Sequence, residues 1–318
     1  MKIFVTGGAG FIGTNFLRYW LHKYPDSEII VLDNLTYAGR RENLKDIIHS
    51  ITFIKGDICD KSTVSNAMKG CDWVFHFAAE SHVDRSIADA GIFVKTNITG
   101  TYTLLETAKE QGVDRFIHIS TDEVYGSTSQ GSFSESDPLA PSSPYSATKA
   151  GSDLLALAYH TTHDLPVIVT RSANNYGPYQ FPEKLIPLMI LNAQENKLLP
   201  VYGDGKNIRD WLYVEDNCAA IDTVVHKGTC GEIYNIGAHN ELENIEIVRC
   251  ILKILDKPEE LISYIHDRPG HDRRYSLITD KIENLGWKPA VSFQNGLLKT
   301  IQWYCNHEAW WKPLQKRT

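Results

Sequence analysis

The sequence predicts an α/β fold, a doubly wound parallel sheet joined to a smaller α/β lobe. Two observations carry that expectation. Through the first half, short and continuously apolar runs alternate with longer segments that have one apolar face. That is the pattern of strands covered on both sides by crossover helices. After residue 172 the strands shorten, and loops rich in Pro, Asn and Gly surround four helical segments. A length of 318 residues suits about two domains.

The elements follow in order. Lys2–Thr6 (KIFVT) reads as a buried strand and Phe11–Lys23 as a helix with an apolar face. Residues 28–32 (EIIVL) and Thr52–Lys55 are strands, and 62–68 is helical. Residues 73–77 (WVFHF) form a strand, 92–111 a long helix, 115–120 (RFIHIS) a strand, 144–161 a helix and 166–171 (PVIVTR) a strand. In the second half, loops at 174–182 and 200–206 separate helices expected at 184–196, 214–226, 244–255 and 294–307. No repeat, low-complexity tract or linker interrupts the chain, so the lobes should share an interface, where ligand clefts commonly form. The first lobe is expected to take residues 1–172 and to recruit about 209–235 as a late return. Residues 173–208 and 236–318 are left to the second lobe.

Composition narrows the function. Hydrophobic residues make up 42% and charged residues 22%, a globular balance that excludes disordered and fibrous classes. A net charge of −7 argues against a nucleic-acid partner, though it allows a local basic pocket for an anionic ligand. Six cysteines, at 59, 71, 218, 230, 250 and 305, make no CxxC pair. They read as reduced thiols of a cytoplasmic protein, with no zinc ribbon or dithiol motif. No signal peptide and no apolar stretch of ~20 residues is visible, so no membrane association is expected. His76, His82 and His118 lack metal-ligand spacing and read as structural.

Three motifs carry chemistry. The first, Thr6–Gly13 (TGGAGFIG), joins the first strand to the first helix. One glycine makes the tight turn, one lets backbone N–H groups approach a pyrophosphate, and one lets helix and strand pack closely. The helix N-terminus favours the anion. Asp33 stands 20 residues beyond Gly13, where a carboxylate accepts hydrogen bonds from ribose hydroxyls and repels a 2′-phosphate. Although Arg40 and Arg41 follow further on, NAD is expected rather than NADP. Together with the strand pattern, this makes the first lobe Rossmann-like.

The second motif is Tyr145-Ser146-Ala147-Thr148-Lys149 on a helix. A spacing of four puts Tyr145 and Lys149 on one face. An ammonium there should stabilise the phenolate, and the pair reads as a general base for an alcohol that loses hydride. The third motif is Ser120-Thr121-Asp122-Glu123-Val124-Tyr125-Gly126, directly after a buried strand. Ligands bind at that end of parallel strands. Two adjacent carboxylates in different surroundings can divide acid and base roles.

With these residues in view, the chain resembles the extended short-chain dehydrogenase/reductases and, within them, the dTDP-glucose 4,6-dehydratases. The likeness runs through GGAGFIG, DNLTYAG (33–39), FAAESHVDRS (77–86), STDEVYG, PYSATKAGSD (144–153), NNYGPYQFPEKLIP (174–187), PVYGDGKNIRDWLYVED (200–216) and DRPGHDRRY (267–275). The Thr-Asp-Glu triplet is its most specific part, since related epimerases lack the two carboxylates. The resemblance implies a homodimer, paired through the helices at 92–111 and 144–161. It also implies a reaction at a nucleotide-sugar substrate, dTDP-glucose. Tyr145 takes the C4 hydroxyl proton, Glu123 removes the C5 proton, Asp122 in its protonated form assists departure of the C6 hydroxyl, and Thr121 binds the C4 oxygen. The stored hydride returns to C6, giving the 4-keto-6-deoxy sugar nucleotide for deoxysugar biosynthesis.

Carried over residue by residue, NAD would touch Gly7, Gly10, Phe11, Ile12, Gly13, Asp33, Asn34, Leu35, Thr36, Asp57, Ile58, Phe77, Ala78, Ala79, Ser81 and Thr96, with Tyr145 and Lys149 on the ribose and Asn175 near the nicotinamide. The substrate would touch Ser81, Thr121, Asn174, Lys184, Leu185, Pro200, Tyr202, Arg209, Asn244, Arg268 and His271. Guanidinium groups beside a diphosphate suit its oxygens. Departures from the pattern are few: Ala173 before Asn174, Asn217 after Asp216, and a short 127–134 segment. Three other readings remain beside this one. Two are enzymes, a UDP-glucose 4,6-dehydratase and a nucleotide-sugar 4-epimerase. The third is a non-catalytic NAD-binding sensor or scaffold, against which intact Tyr145, Lys149, Asp122 and Glu123 count.

Overall fold

Strands that are apolar on both faces can be stable only between two layers of helix, and the first-half strands are arranged so. The computed structural model describes residues 1–315. Its large sheet holds β1 (Lys2–Thr6), β2 (Glu28–Asp33), β3 (Thr52–Lys55), β4 (Trp73–His76), β5 (Arg115–Thr121), β6 (Val167–Ser172) and, much later, β10 (Ile233–Ile236). The order across the sheet is β10-β6-β5-β4-β1-β2-β3, and every pairing is parallel. β1 therefore lies between β2 and β4, where the direction of winding reverses. The crevice above such a switch point is where doubly wound sheets bind ligands.

Side chains alternate across β1 with the two-residue strand period. Ile3 and Val5 pack on one face, in a core with Phe16, Trp20, Ile221 and Val224 from α1 (Phe11–Lys23) and α8 (Val214–Lys227). Phe4 packs on the other face, in a core with Leu104, Leu105 and Ala156. Those come from α5 (Thr101–Gln111) and α6 (Pro144–His163), which lie beside α2 (Lys61–Met68). Each fully buried aliphatic or aromatic side chain contributes about 1.5–3 kcal/mol. α6 starts firmly because Ser143 and Ser146 form a reciprocal capping box with Pro144 at the first position.

Two expectations change. The helix expected over 92–111 runs continuously from Gly91 to Gln111, but Val94–Gly100 within it is π-helical, between α4 (Gly91–Phe93) and α5. Buried Asn97 explains why that stretch has a partner elsewhere. Its Oδ1 accepts the Glu80 N–H at 2.9 Å, and its Nδ2 donates to the Glu80 carbonyl and to Thr148 Oγ1, both at 3.0 Å. A short helix, α3 (Val83–Ala88), was not anticipated.

The late return also begins later than residue 209. β9 (Ile208–Tyr213) pairs with β7 (Asn174–Tyr176) and β11 (Glu241–Glu243) in a separate three-stranded sheet. Only α8 and β10 rejoin the large sheet. Trp211 and Tyr213 of β9 pack into the second lobe's core, which explains the difference. That core also receives α7 (Leu185–Gln194), α9 (Asn244–Ile254), α11 (Phe293–Asn306) and the strand pair β8 (Leu199–Tyr202) with β12 (Ile262–Ile265). Among the described residues no helix is long and apolar enough to cross a membrane, and no cluster of His, Cys, Asp and Glu could hold a metal ion.

Behind the sheet's active edge lies a buried charge pair. Arg171 is 2% exposed and Asp153 fully buried, with Arg171 Nε donating to Asp153 Oδ2 at 2.9 Å. His118 Nε2 lies 3.2 Å from Asp153 Oδ1, but burial drives its pKa down to about 4, so the imidazole is neutral and the ion pair is that of Arg171 with Asp153. Asp153→Asn would leave a buried guanidinium without its counter-charge. A loss of about 3–5 kcal/mol is expected, read as a lower urea midpoint at unchanged slope.

Candidate active site

Two cavities lie side by side over the carboxyl ends of the large sheet. The first is about 230 Å³ and the second about 220 Å³. Ser81, Glu183 and Lys184 line both, so the two spaces meet.

The glycine loop builds the first. Gly7 sits at φ +70°, and a Cβ there would strike the backbone of Phe77 and Ala78 on β4's extension. A Cβ on Gly13 would collide with the Gly7 carbonyl oxygen. Neither position can hold a side chain, which brings strand, loop and helix together. The unsatisfied N–H groups of the first turn of α1 lie where Gly10, Phe11, Ile12 and Gly13 line the cavity. At its other end stands Asp33, 7% exposed. Its Oδ2 accepts the Ala9 N–H at 2.9 Å and its Oδ1 the Leu35 N–H at 2.8 Å. Burial raises its pKa and these two donors oppose that. Neither Arg40 nor Arg41 lines the cavity. A helix N-terminus, a buried carboxylate and a Tyr/Lys pair along one cavity fit an NAD molecule.

Asn34, Thr36, Asp57, Ile58, Phe77, Ala78, Ala79, Ser81, Thr96, Tyr145 and Lys149 all line the first cavity, as do Tyr37, Gln180 and Glu183, which sequence reasoning did not single out. Two expected contacts do not line it. Leu35, at φ +54°, is packed against the core with Phe16 and Leu17, and gives Asp33 its backbone N–H instead. Asn175 turns its amide back to the Ala173 carbonyl at 3.0 Å.

The second cavity is walled by Asn174, Lys184, Leu185, Pro200, Tyr202, Arg209, Asn244, Arg268 and His271 of the expected set, joined by Glu123, His82, Asp84, Trp211 and Tyr275. The cations are held in place by the protein's own acceptors. Arg209 donates to the carbonyls of Ile208 at 2.7 Å and Asp272 at 2.9 Å, with its guanidinium 4.1 Å from the Tyr275 ring centre. Lys184 Nζ donates to the Ser81 carbonyl at 3.0 Å, and Arg268 pairs with Asp84 at 3.3 Å. Asn174 Oδ1, Asn244 Oδ1, Trp211 Nε1 and Arg268 Nε are buried without a hydrogen-bond partner among the described residues. Such orphans in a cavity wall suit a polar, anionic ligand that supplies their hydrogen bonds.

Between the cavities β5 runs into a 3₁₀ turn, Asp122–Tyr125. Thr121 caps it: its hydroxyl accepts the Glu123 N–H at 3.3 Å and donates to Asp122 Oδ1 at 3.2 Å. Thr121 and Asp122 are buried and line neither cavity, so Thr121's expected place in the substrate wall is not seen; its hydroxyl is engaged within the turn. Asp122 is 3% exposed, and its Oδ2 has no partner. Burial, then the neighbouring Glu123 charge, pushes its carboxyl well up. Glu123 is also raised by burial, but Arg209, Arg268 and Lys184 all favour its ionised form. Arg209 opposes the rise of both carboxyls, but Arg268 and Lys184 favour ionisation of Glu123 alone, so the two meet different fields.

The Tyr/Lys pair departs from expectation in one respect. Lys149 Nζ donates to the Ile119 carbonyl at 2.8 Å, and burial brings its pKa down to about 8. Burial and then Glu123 hold the Tyr145 phenol well above its ordinary value, with a Thr121 hydrogen bond as the opposing effect. The protein alone therefore keeps Tyr145 neutral; Lys149 is occupied by a backbone carbonyl.

With this geometry in view, comparison with known proteins is specific. Residues 4–300 match the family model described as GDP-mannose 4,6 dehydratase. A dTDP-glucose 4,6-dehydratase of Streptomyces niveus is 51% identical over 99% of this chain and 96% of its own. The low-salt glycan biosynthesis protein Agl12 of Haloferax volcanii is 52% identical over 96% of this chain and 98% of its own. The solved structure of DesIV, a dTDP-glucose 4,6-dehydratase of Streptomyces venezuelae with NAD and TYD bound, superposes with a TM-score of 0.97 at 51% identity, covering 99% of this chain and 100% of that one. The chain belongs to the nucleotide-sugar 4,6-dehydratase family that includes the dTDP-glucose 4,6-dehydratases.

Proposed function

We propose that the chain converts dTDP-glucose to dTDP-4-keto-6-deoxy-glucose and water. The observation that carries this reading is the Asp122–Glu123 pair, adjacent in sequence and unequally served by nearby cations, at the junction of a dinucleotide cavity and a cation-lined one. A 4-epimerase has no use for such a pair, because it eliminates nothing.

The first lobe, 1–172 with α8 and β10, holds NAD, and the remainder holds the nucleotide sugar. NAD bound in the first cavity supplies the acceptor for the C4 hydride, a positive ring beside Tyr145, and the hydride that returns to C6. Lys149 holds the nicotinamide ribose. Tyr145 accepts the C4 hydroxyl proton. Once C4 is a ketone the C5 proton is acidic, and ionised Glu123 removes it. Asp122, kept neutral by burial, gives its proton to the departing C6 hydroxyl. Lys184, Arg209 and Arg268 face the diphosphate and at the same time keep Glu123 charged.

The protein is proposed to be cytoplasmic and dimeric. Ile92, Val94, Tyr102 and Leu154 are 42–59% exposed and lie on the segments 91–111 and 144–163. Such an apolar patch on two adjoining helices suits a face shared with a second copy. Light scattering at micromolar concentration should give twice the chain mass for the wild type and one chain mass for Leu154→Glu.

Glu123→Gln should lower turnover of dTDP-glucose by about 10²–10⁴-fold, with C4 oxidation preserved, so that absorbance of the reduced cofactor accumulates on the enzyme. Undiminished turnover would overturn the assignment of the base. The pH dependence has a definite sign. Glu123 acts ionised, so kcat falls as pH drops through its pKa, which burial places above the ordinary carboxylate value. Arg209→Gln removes a charge that favours ionisation, and the acid limb of kcat should move to higher pH.

A further inference from the structure

The C-terminal end of the second lobe turns back onto the glycine loop. α12 (Glu308–Trp311) follows α11, and the rings of Trp303 and Trp310 meet edge to face with centres 4.9 Å apart. Tyr179 packs against both. Packing accounts for the rings but not for their polar ends. Trp310 Nε1 donates to Asn43 Oδ1 at 2.7 Å. Asn43 is 1% exposed, and its Nδ2 donates to the Ala9 carbonyl at 2.8 Å. The Asn43 carbonyl in turn accepts Thr14 Oγ1 at 3.0 Å and Arg18 Nη2 at 2.7 Å, which anchors it to α1. Arg40 bridges the same two places, its N–H donating to the Ala9 carbonyl at 3.0 Å and its Nη1 to the Trp310 carbonyl at 2.9 Å.

A carboxamide can turn over, exchanging its donor and acceptor ends at little steric cost. An indole N–H is a donor only. Facing Trp310, Asn43 must present oxygen to the indole and nitrogen to Ala9. Reversed, its oxygen would face the Ala9 carbonyl and repel it. The Ala9 carbonyl shares one rigid peptide plane with the Gly10 N–H, and Gly10 caps α1 and lines the first cavity. On its other side the Ala9 N–H is already held by Asp33. The Ala9–Gly10 peptide plane is thus held at its N–H by the Gly7 carbonyl at 3.1 Å and at its carbonyl by the Arg40 N–H and the Asn43 carboxamide, and the Asn43 hold is oriented by a side chain about 300 residues away in sequence.

We propose that Trp310 is a positioning residue for NAD. By fixing the Asn43 carboxamide it acts with the Arg40 N–H to set the Ala9–Gly10 peptide, and hence the start of α1, whose first-turn amides would receive the pyrophosphate. The inference rests on the first cavity's being the NAD site, but not on which sugar nucleotide reacts. Wild-type chain lacking NAD altogether would count against that site, whereas the comparison of variants tests Trp310.

The test uses the full chain as Trp310→Phe, which keeps the packing ring and removes the donor, and as Trp310→His, which keeps a ring N–H. NAD released per chain on denaturation and NAD and dTDP dissociation constants are measured for each. Expected for Trp310→Phe is NAD binding about tenfold weaker, dTDP binding within about twofold of wild type, and kcat restored by excess NAD. Trp310→His should recover part of the loss. Unchanged NAD affinity in Trp310→Phe overturns the proposal. So does a parallel loss of dTDP affinity, which would mark general loosening, or an equal NAD loss in Trp310→His.

Discussion

Two carboxylates on neighbouring residues in a water-poor site cannot both be ionised at little cost, and most of the site follows from that constraint. Asp122 is surrounded by protein and has one oxygen without a partner. Glu123 looks the other way, toward Lys184, Arg209 and Arg268. All three cations come from the second half of the chain, beyond the first lobe's last consecutive strand. The proposed division of the pair into acid and base therefore draws on two lobes together. Arg209 acts on both carboxyls, but Arg268 and Lys184 act on Glu123, so the second lobe's charges bear on the pair unequally, and the same cations suit an anionic ligand.

How much of this is legible in the sequence follows from the range of each contact. The strand–loop–helix start is local: seven consecutive residues, Gly7–Gly13, impose their own geometry, and a Cβ at Gly7 or Gly13 would clash regardless of the rest of the chain. The Tyr145/Lys149 spacing and the triplet after β5 are equally local. What could not be read was non-local. Leu35 looks like a cofactor contact because it follows Asp33, yet its left-handed backbone turns the side chain to the core and leaves only an N–H for the carboxylate. The π-helical stretch at 94–100, inside an otherwise expected helix, follows no glycine or proline rule; it accompanies an Asn97 whose partners are 17 and 51 residues away. Residues from about 209 were expected to return to the first lobe, but nothing local in β9 says which core receives Trp211 and Tyr213.

Glu183 shows the same limit from the other side. It lines both cavities and pairs with Arg85 at 3.2 Å, with His82 also near. In sequence it is one charged residue before Lys184, with nothing to distinguish it from a solvated loop carboxylate. Its partners on α3 and beside it belong to a helix the periodicity did not reveal.

The catalytic turn carries this dependence on distant chain to its end. Asp122 and Glu123 ride on a four-residue 3₁₀ turn, too short to hold itself. Its anchor is Tyr125. The Tyr125 hydroxyl donates to Asn235 Oδ1 at 2.8 Å, its ring stacks on Phe133 at 5.1 Å, and the Arg171 guanidinium lies 4.7 Å from the ring centre. Asn235 is on β10, the strand that joins the large sheet last and from 110 residues away. Arg171 is itself held by Asp153 on α6, the helix that bears Tyr145 and Lys149. The turn with the two carboxylates and the helix with the Tyr/Lys pair are thus braced against one buried guanidinium, and the brace closes only when the chain has passed through the second lobe and come back. Closing so long a loop is costly in entropy, and a contact that costly persists only if the contacts it completes outweigh it. Here it completes the spacing between Tyr145, Glu123 and Asp122, the groups proposed to move protons at C4, C5 and C6.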